Sequence, residues 1–282
     1  MVKSLILYLS FFISLSSCGQ KSGLDCKNAH IRDSLISKYL DEGAEKLDNL
    51  YDDPKWQLYC DSLIALCPCI AESYQMKAVP FIKNGEYEEA FKLNNKAVEL
   101  DPKRFLAYRG FLKCIFTKDY IGALKDFNEI ESLNPDGYEM DHTYPFYKGL
   151  CNLELKNFHE AEVNFKKDIA LQQKNIKELA VHFNSLLYIG ILYYEIGDNI
   201  KAQEYLTKCL SVYKQLPEAN FYLGLVFKRQ GKISEGQKLL QAAKEFMREG
   251  YRLNEGNIFY VNYPYQITIF EIEKALNMQP TL

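Results

Sequence analysis

The sequence predicts an all-α fold: a right-handed superhelical solenoid of about five to six helix-turn-helix repeats, closed by a C-terminal capping helix. Three observations predict it. Pro68, Pro102 and Pro135 follow one another at intervals of 34 and 33 residues. Gly190 and Gly224, and again Gly197 and Gly231, lie 34 apart. Apolar side chains between these marks recur at helical spacing, two stretches to each interval, which is how a stacked helical-repeat array reads in sequence.

The N-terminus comes first and lies outside the solenoid. Lys3 precedes an apolar run over residues 5–15, too short for a spanning helix and typical of a secretory signal. It ends in Leu15-Ser16-Ser17-Cys18. This tetrad resembles the lipobox of bacterial lipoproteins, and the resemblance implies cleavage before Cys18, a diacylglycerol on its thiol and an acyl chain on its amine. Residues 1–17 are therefore read as signal peptide and residues 18–30 as a flexible tether, since Gly, Gln, Lys, Ser and Asp there cannot nucleate a core. More than one acyl chain gives stable anchoring.

Net charge is −3, with both signs scattered and no basic stripe, which argues against a nucleic-acid partner. No other apolar run approaches 18 residues, and 48% hydrophobic residues are enough for a continuous core.

Two repeats are clearest, residues 188–213 and 221–246. In the first, Leu186, Leu187, Gly190, Ile191, Tyr193 and Tyr194 keep helical spacing, Gly197 stops the helix, and Ala202, Leu206, Cys209 and Leu210 begin another apolar stripe. The pattern resembles the tetratricopeptide repeat. That family's small residue at position 8 falls on Ala78, Phe111 (or Gly110 with a one-residue shift), Gly149, Gly190 and Gly224. Its alanine at position 20 falls on Ala90, Ala123, Ala161, Ala202 and Gly236. Its aromatic position 11 is Phe81, Cys114, Asn152, Tyr193 and Phe227, so two units depart. The proline at position 32 survives as Pro102 and Pro135.

Repeats are expected over residues 71–250. A worn unit over residues 31–70 precedes them, with Ala44 and Pro68 each 34 before their counterparts and Trp56 in place of the alanine. Ala123 to Ala161 is 38 residues, the excess lying in a turn-rich linker over residues 135–142. Ala161 to Ala202 is 41, and the helix-forming residues 172–177 predict a lengthened second helix. Residues 251–282 form the cap, where Ile267, Phe270, Ile272, Ala275 and Leu276 make an apolar set after the break at Pro264.

Chemistry is sparse. Cys67-Pro68-Cys69 has one residue between its thiols and no answering pair, and the loop carrying Asp136, Glu139, Asp141 and His142 departs from calcium-loop spacing, so no metal is expected. Cys60 and Cys67 on one helix stand about 10 Å apart, beyond disulfide reach. Cys26 could meet either of them. Cys114, Cys151 and Cys209 read as small buried hydrophobes. His30, His142, His159 and His182 pair with no nucleophile, and no G-x-S-x-G, H-E-x-x-H or phosphate loop occurs. No enzyme and no cofactor is predicted.

The resemblance implies that the first helix of each unit lines a concave face. The candidate partner-binding residues there are Tyr108, Leu112, Phe146, Leu150, Leu187, Ile191, Tyr194, Phe221 and Leu225. The face lacks the lysine, asparagine and arginine set that clamps a peptide's terminal carboxylate in some relatives. Two readings stay open: a groove for an amphipathic helix or extended segment, or a surface already covered by neighbouring helices or a folded-back cap.

The expected function is a lipid-anchored scaffold that binds a protein or peptide in a bacterial cell-envelope assembly. Alternatives are an outer-membrane protein assembly component and a glycan-capture accessory lipoprotein. Gly19 after Cys18, with no aspartate there, places it on the outer membrane facing the periplasm by enterobacterial rules.

Overall fold

A computed structural model of the chain describes residues 23–175, 181–253 and 255–277. It divides into two compact units, residues 1–77 and 78–282. Cys18, the expected lipidation site, lies outside the described residues.

In the first unit, α1 (Ala29–Ile36) starts where the Asn28 side chain accepts from the His30 and Ile31 N–H groups. It continues into a π-turn over Ser37–Asp41, and two short 3-10 turns lead to α2 (Pro54–Leu66). Pro54 opens α2 at a position whose N–H would be unpaired in any case, and Asp53 accepts from Lys55 N–H. Trp56, Cys60 and Leu63 of α2 are buried, as are Leu40, Ala44 and Ile70, and Trp56 Nε1 donates to Met76 O at 2.8 Å. Ala44 is fully buried but sits in the turn after the first helix instead of within it.

Cys26 is disulfide-bonded to Cys67, so the chain is held at a point inside the stretch read from sequence as a tether. Cys60, on the same helix run as Cys67, stays a free buried thiol whose pKa burial pushes up to about 12. The boundary between the units falls within α3 (Ala71–Lys83).

The second unit continues as α4 (Tyr87–Leu100), α5 (Pro102–Leu112), α6 (Tyr120–Leu133), α7 (Tyr144–Glu154), α8 (Phe158–Asn175), α9 (Phe183–Glu195), α10 (Asn199–Val212), α11 (Pro217–Arg229), α12 (Ile233–Arg248) and α13 (Ile269–Asn277). Successive helices pair where small residues let them approach. A Cβ at Gly224 would stand 3.0 Å from Gly236 O, and one at Gly236 would stand 2.7 Å from Gly224 O. The turn between α9 and α10 needs a left-handed residue, which Gly197 supplies at φ +81°.

Repeat two resolves the one-residue ambiguity seen in sequence. A π-turn over Lys113–Thr117 follows α5 and absorbs one extra residue, so Gly110 and not Phe111 takes the close-contact place, 3.1 Å from the Phe127 ring were it given a Cβ. The following turn holds Lys118 at φ 58°, as Lys156 stands at φ 59° in the α7–α8 turn, where the last two pairs have Gly197 and Gly231. A buried carboxylate ties α5 to α6: Asp126, 1% exposed, accepts from Arg109 at 2.7 and 2.9 Å and pairs with Lys113 at 2.7 Å.

The turn-rich linker carries a two-stranded antiparallel ladder, β1 (Tyr138–Glu139) with β2 (His142–Thr143). Helix α8 runs 18 residues to Asn175, and the last residues of its expected extension lie outside those described. In the cap, α13 buries Ile272 and Ala275, while Phe270 is 71% exposed, contrary to the expected apolar set. A helix of nine residues buries one narrow stripe, and Phe270 falls off it. No helix among the described residues is long and apolar enough to cross a membrane.

Candidate binding groove

The first helices of the second unit's pairs share a surface, and residues 251–268 cross it as a strap that runs out and back. Tyr213 Oη donates to Arg252 O at 3.4 Å as the chain leaves α12. Glu255 then reaches His142 Nε2 at 2.8 Å and accepts from Asn184 Nδ2. At the far end Lys83 donates to Asn257 Oδ1 and lies 4.1 Å over the Tyr260 ring. On the return Lys118 Nζ donates to Asn262 O, Tyr188 Oη to Pro264 O at 2.9 Å, and Tyr222 Oη to Tyr265 O at 3.4 Å. The Glu218 carboxyl lies beside the Ile267 backbone before α13 begins.

Most of these donors address main-chain carbonyls of the strap, which are present whatever its side chains. Its anchoring side chain is Glu255, seated in a polar pocket. His142 stacks on Phe146 at 3.9 Å and stands edge-on to His182 at 5.1 Å. Burial, then the neighbouring His142, lowers the His182 pKa, and its Nδ1 accepts from Asn184 N–H. Glu218 on α11 is 1% exposed with no cation on it, and burial pushes its pKa up to about 7 against the pull of its backbone donors.

Of the nine residues expected to contact a partner, Leu112, Phe146, Leu150, Leu187, Ile191 and Phe221 are buried, while Tyr108, Tyr194 and Leu225 are half-buried. Phe146 belongs to a ring cluster with Tyr147 at 5.5 Å and Tyr188 at 5.7 Å. The face of Tyr194 is covered by the Arg229 guanidinium at 3.5 Å.

The residues that hold the strap were not among those candidates, although a signal existed. Tyr-x-Gly recurs as Tyr108-Arg109-Gly110, Tyr147-Lys148-Gly149, Tyr188-Ile189-Gly190 and Tyr222-Leu223-Gly224, so the tyrosine sits two residues before the close-contact glycine in four successive first helices. Tyr188 and Tyr222 hold the strap; Tyr147 Oη instead donates to Glu139 O at 3.1 Å.

The tetratricopeptide-repeat family profile matches residues 71–104 and 184–216, in register with the helix pairs and small-residue contacts described above. The chain folds as a tetratricopeptide-repeat solenoid. A TPR repeat-containing protein of Methanocaldococcus jannaschii is 28% identical over 154 residues, 54% of this chain, and the chain spans 24% of that protein's length. Among solved structures, that of PilW, a widely conserved type IV pilus biogenesis factor, is similar with a TM-score of 0.60 at 14% identity, covering 78% of this chain and 93% of PilW. The Pseudomonas aeruginosa pilF structure gives 0.58 at 19% identity, covering 77% and 99%. Tetratricopeptide-repeat solenoids are scaffolds for protein–protein interaction, and no catalytic family is detected in this one.

Proposed function

We propose that this protein is a lipid-anchored scaffold of a bacterial cell envelope, tethered through Cys18 on the outer membrane facing the periplasm, and that it holds a partner protein non-covalently on the concave face of its second unit. The observation that carries the proposal is the strap itself: tyrosine and lysine donors on this face hold a non-helical, turn-bearing segment of the chain by its main-chain carbonyls. A surface built to satisfy those carbonyls suits a segment whose carbonyls are not used up within a helix.

Exposed aromatic rings on the strap bear on the glycan alternative. Phe259 is 74% exposed and Tyr260 41%, but the Arg252 guanidinium lies 4.8 Å over the Phe259 ring and Lys83 lies over Tyr260. Each cation lies over one face of its ring and Phe259 stays open to solvent, so sugar stacking on the strap is the second reading.

Two experiments test the proposal. A photo-reactive phenylalanine at Tyr108 or Tyr194, both half-buried, is expected to cross-link another envelope protein in intact cells; purely intramolecular products would count against it. Cys18→Ala is expected to lose label from radioactive palmitate and to leave the membrane fraction, and retention in that fraction would refute the anchor.

A further inference from the structure

The strap is bound less tightly than its length suggests. Among its described residues Leu253, Tyr263, Pro264 and Ile267 are buried, whereas Arg252, Gly256, Phe259, Tyr260, Asn262 and Thr268 are exposed. Beneath its base lie two clefts of about 310 and 280 Å³ that share Gly250, Tyr251, Arg252 and Ile258. Both clefts open to solvent, so the base of the strap lies at the surface and is not part of the packed core. The face below is the reverse: His142, Phe146, Tyr147, Asn184, Tyr188 and Glu218 are each at most 3% exposed with the strap in place. The pocket around Glu255 also keeps spare capacity, because His142 Nδ1 and Asn184 Oδ1 are buried without hydrogen-bond partners.

Lys118 adds a second sign. It holds a left-handed backbone conformation that strains a non-glycine residue, and its ammonium donates to Ile115 O and to the strap carbonyl of Asn262.

We propose that residues 251–268 are an internal pseudo-ligand that closes the concave face, and that the partner which displaces them is a non-helical protein segment with free main-chain carbonyls and a carboxylate for the His142–Asn184 pocket. The inference rests on reading this face as the binding surface. The carbonyl hooks accept any non-helical chain whose carbonyls are free, and the one strap side chain held by two groove side chains, Glu255, sets the selectivity. Competition follows directly, since strap and partner need the same donors. The apparent affinity for a partner is then reduced by the fraction of time the strap is seated.

The test uses the full-length protein and a labelled synthetic peptide of residues 253–268, followed by fluorescence anisotropy. It needs no natural partner, so its failure is distinct from failure of the cross-linking test. Glu255→Gln and Tyr263→Ala are the two variants, both on the strap, which leave every groove residue intact. Either variant is expected to bind the peptide at least about tenfold more tightly than wild type, the scale of one lost charge-assisted hydrogen bond. A peptide whose own glutamate is replaced by glutamine is expected to lose about tenfold on either variant. Equal binding by wild type and a folded variant overturns the proposal. So does loss of folding in both variants, because a displaceable strap is not needed to fold the helices beneath it.

Discussion

Helix α11 makes two seams, one with α12 and one with the strap, and they are built on different principles. Against α12 it presents Gly224 to Gly236, backbone on backbone, with no room for a single methyl group. Against the strap it presents the Tyr222 hydroxyl, which donates to Tyr265 O, and the buried Glu218 carboxyl, beneath a segment whose Gly256 has nothing within 4 Å of its missing side chain. The first seam is specified by shape and the second by hydrogen bonds. Shape has one solution, so the helix pairs are fixed; carbonyl hooks accept any segment that offers carbonyls, so the strap can be exchanged.

The sharpest contrast comes from adding bulk to each seam. Gly224→Leu is expected to cost roughly 3 kcal/mol or more through overpacking against backbone, measured by urea denaturation. Gly256→Ala in the strap is expected to change stability by less than about 0.5 kcal/mol. Equal costs would erase the distinction between the seams.

Proton linkage offers a comparable effect confined to the strap side. Glu218 has a folded pKa of about 7 against an ordinary 4.5. The folded state therefore holds a proton that the unfolded state gives up between these values, and this group's contribution falls as pH rises from 4.5 through 7. The loss amounts to roughly 3 kcal/mol. Glu218→Gln mimics the neutral acid, so the stability of wild type relative to this variant is expected to drop by that amount between pH 4.5 and 8. A difference independent of pH would place the charged carboxylate in the folded protein.

A smaller effect isolates one hook. Tyr188→Phe keeps the ring, which stacks on Phe165 and meets Phe146, and removes the hydroxyl on Pro264 O. It is expected to cost about 1 kcal/mol and to raise strap mobility in the proton spectrum without disturbing α7 or α9. A variant that loosens both helices would show the hydroxyl holding the solenoid instead of the strap.

These two seams also differ in how far they can be read from sequence. Contacts between paired helices repeat at a fixed offset, as Gly149, Gly190 and Gly224 stand 12 residues before Ala161, Ala202 and Gly236, so periodicity exposes them. Even the irregular second repeat left a trace, a one-residue shift that the π-turn explains. The strap has no period. Glu255 meets His142 and Asn184 across 113 and 71 residues, and nothing local marks that pairing. The Tyr-x-Gly recurrence was visible as residues, but a tyrosine on a first helix reads equally as core, and its hydroxyl acceptor lies in a segment outside the repeats. The Cys26–Cys67 bond sat between: spacing excluded Cys60 with Cys67 and left Cys26 a choice that folding decided.

Amide hydrogen exchange on the intact protein tests the central claim most directly. The Tyr263 and Gln266 amides of the strap are expected to exchange through a local opening at least about 2 kcal/mol below the free energy that opens α9. Exchange of strap and α9 together, at the free energy of global unfolding, would make the strap part of the core and contradict the account.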